Sequence, residues 1–226
     1  MTRNPSGPSG PPGPSVPQAR TVATPAGDAR ITWHRARRER RVLALGHGAG
    51  GGIEARDLRA LAAALPEHGV TVALVEQPWR VAGKKVAPAP RTLDAAWRAL
   101  WPELAAGGVP VLAGGRSAGA RVACRTAAEL GAAGVVALSF PLHPPGRPER
   151  SRAAELTEAG VPTLVVQGGA DPFGRPAEFP GLPAGGALVE VPHADHGFAV
   201  PRRAGLTEAD VARLVTGAVS GWLDRE

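Results

Sequence analysis

The stretch VPVLAGGRSAGARVA, residues 109–123, contains the side chain best placed to do chemistry. Gly115, Ser117 and Gly119 form the motif G-x-S-x-G, with an apolar run before it and a helix-prone run after it. A serine on a sharp strand-to-helix turn needs neighbours without side chains, and it projects its hydroxyl out of the sheet. G-x-S-x-G arises by chance in many proteins, but the strand before it and the helix after it make this occurrence informative. We therefore predict that Ser117 is a nucleophile.

A serine hydroxyl reacts well only when a base accepts its proton and a third group orients that base. Asp171 follows an apolar run in PTLVVQGGADPFG, and His196 follows another in ALVEVPHADHGF. Both residues come after Ser117, in the order Ser, acid, His that is typical of this motif. Loops after successive strands converge at one edge of a sheet, so we predict that Ser117, His196 and Asp171 form a catalytic triad.

Other interpretations of these two loops stay open. Asp171 precedes a proline and also fits an Asx turn, and His196 also fits an ordinary loop histidine. His193 and Asp195 compete for the same roles in the second loop. We favour His196 because it lies at the crest of the loop, where an imidazole can face both Asp171 and Ser117.

The stretch LALGHGAGGG, residues 43–52, has five glycines behind a short apolar run. Backbone N–H groups in such a loop can approach a developing oxyanion, and a G-x-S-x-G turn needs a second donor from a loop of this kind. We predict that the N–H groups of Ala49 and Ala118 stabilise the oxyanion, with Gly50 beside them in the pocket. One such donor typically contributes about 3 kcal/mol.

The same glycines also fit a dinucleotide-binding fingerprint. Gly46, Gly48 and Gly51 match G-x-G-x-x-G after a strand. That fold needs an acidic residue about 20 residues further on, at the end of the next strand. Glu76 lies 30 residues beyond Gly46, and nothing else in the chain favours a nicotinamide enzyme. We therefore predict no cofactor.

Two proline-rich connections, 78–91 and 141–152, follow the carboxyl ends of predicted strands and are candidate walls of the pocket. They contribute Trp79 and His143 as pocket residues. His47 either lines the pocket or binds backbone to hold the glycine loop. Arg116 and Arg121 flank Ser117 and suit either an anionic substrate or ion pairs that fix the turn.

Seven short apolar runs alternate with helical patterns, which predicts a mostly parallel sheet with helices on both faces. The helical patterns cover 55–65, 92–105 and the end of the chain, where Thr207 and Asp210 have capping-box spacing. The predicted strands are 29–34, 41–45, 70–75, 109–113, 135–140, 162–166 and 187–191. The expected fold is α/β, with one domain over residues 29–226 and no separate cap domain.

Composition limits the remaining possibilities. Residues 1–28 are rich in proline and glycine and poor in large apolar side chains, so we expect a disordered tail. Neither a signal sequence nor an apolar run of membrane-spanning length is visible. Cys124 is the one cysteine, which excludes an internal disulfide. No His, Asp and Glu cluster has metal-ligand spacing, so we predict no metal, and we expect a cytoplasmic protein.

The net charge of +6 does not indicate a nucleic-acid partner. Residues 30–41 carry +5 of it, from six arginines against Glu39. A basic patch on a turn between two strands is usually a solvated hairpin, and this one lacks the interleaving of aromatic and basic residues on which single-stranded nucleic acid stacks. We predict a small-molecule acyl substrate, with neither nucleic acid nor membrane as partner.

Four motifs, GHGAG, GGRSAGARVA, SFPLHPPGRPERSR and VQGGADPFG, resemble a group of small α/β-hydrolase-like proteins. The group includes bacterial α/β-hydrolases, a testis-expressed mammalian protein and the hydrolase-like domain of a non-specific-lethal chromatin complex subunit. Dienelactone hydrolases are more distant relatives. The resemblance spans about residues 41–200 and implies the α/β-hydrolase fold and the triad Ser117, Asp171 and His196. It implies little about substrate, since the chromatin subunit is a scaffold.

These observations predict a serine hydrolase that cleaves an ester or thioester through an acyl-enzyme. The alternative from another class is a non-catalytic module that keeps the fold for protein contacts, and a broken triad or blocked pocket would favour it. A haloalkane dehalogenase would need an aspartate where Ser117 stands. Two modest loops over the pocket suit small or exposed acyl groups.

Overall fold

The computed structural model describes residues 16–225, and this part of the chain contains eight strands and six α-helices. The strands are β1 (Gln18–Thr24), β2 (Gly27–His34), β3 (Arg41–Gly46), β4 (Val70–Glu76), β5 (Val111–Arg116), β6 (Val135–Leu138), β7 (Thr163–Gly168) and β8 (Ala187–Val191). The helices are α1 (Arg56–Ala64), α2 (Pro78–Val81), α3 (Pro90–Ala105), α4 (Ala118–Thr126), α5 (Ala153–Thr157) and α6 (Glu208–Leu223). Short 3-10 turns lie at Leu65–His68, Pro148–Arg150, Pro176–Glu178 and Arg202–Ala204.

All eight strands form one sheet in the order β1-β2-β4-β3-β5-β6-β7-β8 within residues 16–225. The pairs β1/β2 and β2/β4 are antiparallel, and every later pair is parallel. This is the α/β-hydrolase fold, so the predicted fold class is confirmed. Each of the seven predicted strands is present, with ends that differ from the prediction by at most three residues.

The first strand corrects the expected extent of the N-terminal tail. Residues 18–28, predicted as disordered, form β1 and the start of β2, while residues 1–15 lie outside the described part. β1 pairs with β2 over seven residue pairs, from Gln18 with Trp33 to Thr24 with Gly27. Its side chains are mostly exposed, so backbone pairing stabilises this edge strand. A strand held that way carries no hydrophobic run in its sequence.

Helices cover both faces of the sheet, because alternate residues of each central strand pack into opposite cores. Along β3, Val42 and Ala44 belong to one core, and Leu43 and Leu45 belong to the other. Helices α3 and α4 pack on the first face, and α1 and α6 pack on the second. Burial on both faces explains why β3 and β4 read as continuous apolar runs.

The order of the strands creates one crevice at the edge where the parallel strands end. β3 lies between β4 and β5, and the chain passes from β3 to β4 on one side and later builds from β5 towards β8 on the other. The loops that follow β3 and β5 therefore diverge, which is where ligands bind in open α/β sheets. No helix in residues 16–225 is long and apolar enough to cross a membrane.

Candidate active site

Ser117 occupies a strained turn between β5 and α4. Its backbone has φ 52° and ψ −109°, a conformation that residues with side chains rarely adopt. Gly115 and Gly119 are required by close packing, since a Cβ on either would lie 2.4 Å from the carbonyl oxygen of Gly46. The motif therefore lets the turn pack on the end of β3 and keeps the hydroxyl of Ser117 at the crevice.

The three predicted triad residues lie within hydrogen-bond distance of one another. Ser117 Oγ is 2.9 Å from His196 Nε2, and His196 Nδ1 is 2.8 Å from Asp171 Oδ2. Asp171 has no exposed surface, and the ionised carboxylate only accepts, so Nδ1 donates to it. The opposite nitrogen, Nε2, is then free to accept the proton of the Ser117 hydroxyl.

Asp171 is held by two further donors. Its Oδ1 accepts a hydrogen bond from the N–H of Phe173 at 2.8 Å, and its Oδ2 accepts one from Gln167 Nε2 at 2.9 Å. Gln167 also donates to the carbonyl of Gly174 at 2.8 Å. The carboxylate is therefore fixed in the orientation that faces His196.

The ring of His196 is positioned by contacts on two sides. The ring of Phe173 packs against it, with ring centres 4.2 Å apart. On the other side, Arg116 Nη2 donates to the backbone carbonyl of His196, and Arg116 Nε lies 3.1 Å from the buried carboxylate of Asp57. Of the two roles weighed for Arg116, the structure therefore shows ion pairing that fixes the site.

The competing residues of the same loop have other partners or face solvent. Asp195 Oδ1 accepts hydrogen bonds from the N–H groups of Gly197 at 2.7 Å and Ala199 at 2.9 Å, which closes the turn around His196. His193 is exposed and has φ 60°. The geometry therefore favours His196 over His193, as the sequence interpretation did.

The glycine loop after β3 lies beside Ser117. A Cβ on Gly48 would be 3.4 Å from the Cβ of Ser117, so a side chain at this position would crowd the nucleophile. Ala49 and Gly50 follow on the exposed part of the loop. Ala118 begins α4, where the first N–H groups of the helix have no carbonyl partner within it. Both predicted donor segments thus adjoin the nucleophile, and their role in binding an oxyanion stays a prediction.

His47 anchors the glycine loop to the chain after β4. Its Nε2 accepts a hydrogen bond from the N–H of Gln77 at 3.1 Å, so its Nδ1 carries the proton and donates to the carbonyl of Gly48 at 2.9 Å. Burial lowers the pKa of His47, which favours this neutral form. The ring also packs against Trp79, with centres 5.4 Å apart.

A narrow slot opens beside the start of α4. Its volume is about 10 Å³, and it is lined by His47, Gln77, Trp79, Ala87, Leu93, Ala118, Gly119 and Val122. A second cavity of about 150 Å³ lies next to it and is lined by Ala26, Gln77, Pro78, Trp79, Ala82, Lys84, Val86, Pro88, Thr92 and Leu93. His47 and Trp79 thus line the slot, whereas Gly50 lines neither cavity, and the role of these residues in binding substrate stays a prediction.

His143, predicted as a pocket residue, lies instead in a separate contact. Its Nδ1 is 2.9 Å from the carbonyl oxygen of Pro144 and its Nε2 is 3.0 Å from Glu178 Oε2. The hydrogen bond to Pro144 and then that to Glu178 raise the pKa of His143. Both ring nitrogens therefore have partners, the contact of Nε2 with Glu178 joins two loops, and His143 lines neither cavity.

Four residues near the site were not found from the sequence: Asp57, Gln77, Gln167 and Phe173. Gln167 carried a signal, since a polar residue at the end of the buried run TLVVQG needs a partner inside the protein. The contacts of Asp57 with Arg116, of Gln77 with His47 and of the Phe173 ring with His196 join distant segments, which spacing does not reveal.

Two other kinds of chemistry find little support among the described residues. In residues 16–225 no group of three or more His, Cys, Asp or Glu side chains is arranged to hold a metal ion. Cys124 is fully buried, and this burial raises the pKa of its thiol to about 12, so it is not a thiolate nucleophile.

The sequence model of a family described as "Alpha/beta hydrolase domain" matches residues 39–224. The chain therefore belongs to the alpha/beta hydrolase domain family. The comparison with curated proteins finds no match.

Solved structures share the fold at low sequence identity. A serine hydrolase homologue from Coxiella burnetii is 18% identical with a TM-score of 0.72, over 90% of this chain and 96% of that one. A lidless serine hydrolase from Xanthomonas campestris is 22% identical with a TM-score of 0.70, over 94% and 98%. A dienelactone hydrolase from Anabaena variabilis is 19% identical with a TM-score of 0.68, over 92% and 98%. The alignment thus covers nearly the full length of each of these three proteins.

Proposed function

We propose that this protein is a serine hydrolase that cleaves an ester or thioester through a covalent acyl-enzyme. The observation that carries the proposal is the continuous hydrogen-bonded path from Ser117 Oγ through His196 to Asp171, with steps of 2.9 and 2.8 Å. The path lies at the crevice between β3 and β5. Three such side chains, more than 20 residues apart in the sequence, have no packing reason to meet in this order.

In the first half of the reaction, His196 Nε2 accepts the proton of Ser117 as Oγ bonds to the carbonyl carbon of the substrate. The carbonyl oxygen becomes an oxyanion, and the N–H groups of Ala49 and Ala118 donate to it. Asp171 stabilises the imidazolium that forms. When the intermediate collapses, the bond to the alkoxide or thiolate breaks, and His196 returns the proton to that leaving group.

In the second half, His196 accepts a proton from water as the water oxygen attacks the acyl carbon. The second intermediate collapses by breaking the bond to Ser117 Oγ, which takes back the proton from His196. The products are a carboxylic acid and an alcohol or thiol, and the enzyme is regenerated.

The described residues argue against dinucleotide binding. That function needs a helix that opens directly after the glycines, so that its N-terminus meets the pyrophosphate. Here α1 begins at Arg56, ten residues after Gly46. The side chain of Glu76, at the end of β4, lies 3.4 Å from Arg30 in an ion pair.

The finer resemblance to the testis-expressed and chromatin-complex branch rests on the four sequence motifs alone. If the chain belongs to that branch, the competing function is that of a scaffold without catalytic activity. The open slot and the unbroken path from Ser117 to Asp171 support catalysis instead.

A fluorophosphonate probe tests the proposal, because it bonds covalently only to an activated serine. We expect labelling of the wild-type protein, none of Ser117→Ala, and full labelling of Ser151→Ala, which removes a serine from an exposed loop. Hydrolysis of p-nitrophenyl acetate and a matching acetyl thioester should follow the same pattern. Labelling that survives in Ser117→Ala would exclude Ser117 as the nucleophile. A folded wild-type protein inert to the probe and to both substrates would favour the scaffold.

A further inference from the structure

The slot and the larger cavity lie side by side near the nucleophile but are separate spaces. The slot includes Ala118 and Gly119, which directly follow Ser117, whereas the larger cavity reaches the β1–β2 turn at Ala26. Gln77, Trp79 and Leu93 line both, so these three side chains form the partition. Trp79 is the largest of them and is buried.

The two volumes differ enough to decide which acyl groups fit. The slot, at about 10 Å³, holds one group about the size of a water molecule or a methyl. The cavity behind the partition, at about 150 Å³, has room for several further carbon atoms and is lined mainly by apolar side chains. An acyl chain that starts at Ser117 therefore fits only to its first carbons unless the partition opens.

We propose that the slot binds the acyl group of the substrate and that Trp79 limits the length of that group by closing the path from the slot to the larger cavity. This proposal rests on the proposed hydrolase function. It names the substrate class as esters or thioesters of very short acyl groups, and it assigns Trp79 a role in specificity.

The position of Trp79 is fixed by its surroundings. It lies in α2, which is separated from β4 by a single residue, and its ring packs against His47. His47 is hydrogen-bonded to the backbone N–H of Gln77 and to the backbone carbonyl of Gly48, which belongs to the glycine loop. The partition is thereby attached to the loop that carries the predicted oxyanion donor Ala49.

The test is a chain-length profile, measured as kcat/KM for p-nitrophenyl acetate, butyrate and octanoate, which share one leaving group. For the wild-type protein we expect the octanoate value to be at least about tenfold below the acetate value. In Trp79→Ala the octanoate-to-acetate ratio should rise at least about tenfold, since burying each methylene is worth roughly fourfold. Trp79→Phe should give an octanoate-to-acetate ratio between those of the wild type and Trp79→Ala. It also provides the measurement if the alanine variant does not fold.

Trp101→Ala is the matched control. Trp101 is buried to the same degree as Trp79 and belongs to the same core, but it lines neither cavity. We expect Trp101→Ala to lower stability and to leave the octanoate-to-acetate ratio within about twofold of wild type. Leu93→Ala, which opens the partition from α3, should shift the ratio in the same direction as Trp79→Ala.

Three results would overturn the proposal. The first is a wild-type protein whose kcat/KM for octanoate equals that for acetate. The second is a folded Trp79→Phe or Trp79→Ala variant with an unchanged octanoate-to-acetate ratio. The third is a Trp79 variant that changes the preference among ethyl, butyl and octyl acetates, which differ in the alcohol, and not the preference among the acyl esters. The last result would assign the slot to the alcohol. A wild-type protein inert to every ester and to the fluorophosphonate probe would instead reject the hydrolase function itself.

Discussion

His196 is the residue of the candidate triad with the nearest competitor, since His193 lies three positions before it in the same loop. His196 contacts both Ser117 and Asp171, whereas His193 is exposed and has φ 60°. We expect His196→Asn to lower kcat/KM for p-nitrophenyl acetate by about 10³-fold or more, because the variant has no base. His193→Asn should stay within about twofold of wild type, since asparagine tolerates a positive φ.

Both variants should keep the wild-type circular dichroism spectrum, so that a loss of rate is not a loss of fold. Equal losses in the two variants would contradict the assignment of His196. A large loss in His193→Asn alone would move the role of the base to His193.

Ser117 and His143 differ in the range of the contacts that position them. Ser117 was identifiable because its turn is encoded by neighbours two positions away. The pocket role predicted for His143 differs from the structure because its partner Glu178 lies 35 residues further on, in a short 3-10 turn that sequence spacing does not locate. Proximity to a strand end predicted the loop correctly, but it did not predict which way the side chain faces.

At the scale of elements, the meeting of β3, β5 and α4 sets the geometry of the turn at Ser117. Gly115 has φ 154°, and a Cβ there would lie 2.4 Å from the carbonyl oxygen of Gly46. Gly115→Ala should therefore lower the free energy of unfolding by roughly 2–4 kcal/mol and reduce fluorophosphonate labelling, because β3 and β5 must separate. Urea denaturation measures the first effect and labelling measures the second.

Gly217 in α6 is the matched control for this substitution. It lies on an exposed face of the helix, and a Cβ there meets no atom within 4 Å. Gly217→Ala should raise stability by up to about 1 kcal/mol through helix propensity and leave labelling unchanged. If Gly115→Ala is as stable and as reactive as wild type, the close approach of β3 and β5 is not what shapes the turn.

The strands that stand out in the sequence as continuous apolar runs are those buried on two faces. β3, β4 and β7 contain continuous apolar runs because helices cover both sides of them. β1 has no such run. The short helix α2 lies inside the connection 78–91, which was predicted only as a loop, and α5 begins directly after the connection 141–152, where no helix was predicted. Elements that depend on backbone pairing or on a neighbouring element leave little hydrophobic pattern in the sequence.

At the scale of the whole molecule, β1 and β2 extend the parallel sheet with an antiparallel hairpin that also reaches the candidate site. Arg20 of β1 pairs with Glu103 of α3 at 2.5 Å, so the hairpin contacts the helix that carries Leu93. Ala26, in the turn between the two strands, lines the larger cavity behind Trp79. The hairpin is thus part of the domain, and it closes the cavity that would receive a longer acyl chain.

Two truncations separate these roles. One begins at Val16 and keeps all described residues, and the other begins at Gly27 and removes β1 together with Ala26. The second should melt several degrees below the first, because β2 loses seven backbone-paired residues on its outer side and becomes an exposed edge. Calorimetry on the two proteins measures this difference.

The same pair of proteins also tests how the cavity depends on the hairpin. Among the described residues, the hydrogen bonds of Ser117, His196 and Asp171 do not involve β1, so acetate ester hydrolysis well below both melting temperatures should be equal in the two truncations. When Trp79→Ala is added to each truncation, the rate of octanoate hydrolysis should be lower in the protein that begins at Gly27 than in the one that begins at Val16. The shorter protein lacks Ala26, so its larger cavity has lost a wall. Equal melting temperatures and equal octanoate rates would mean that the hairpin contributes neither stability nor a surface for the acyl chain.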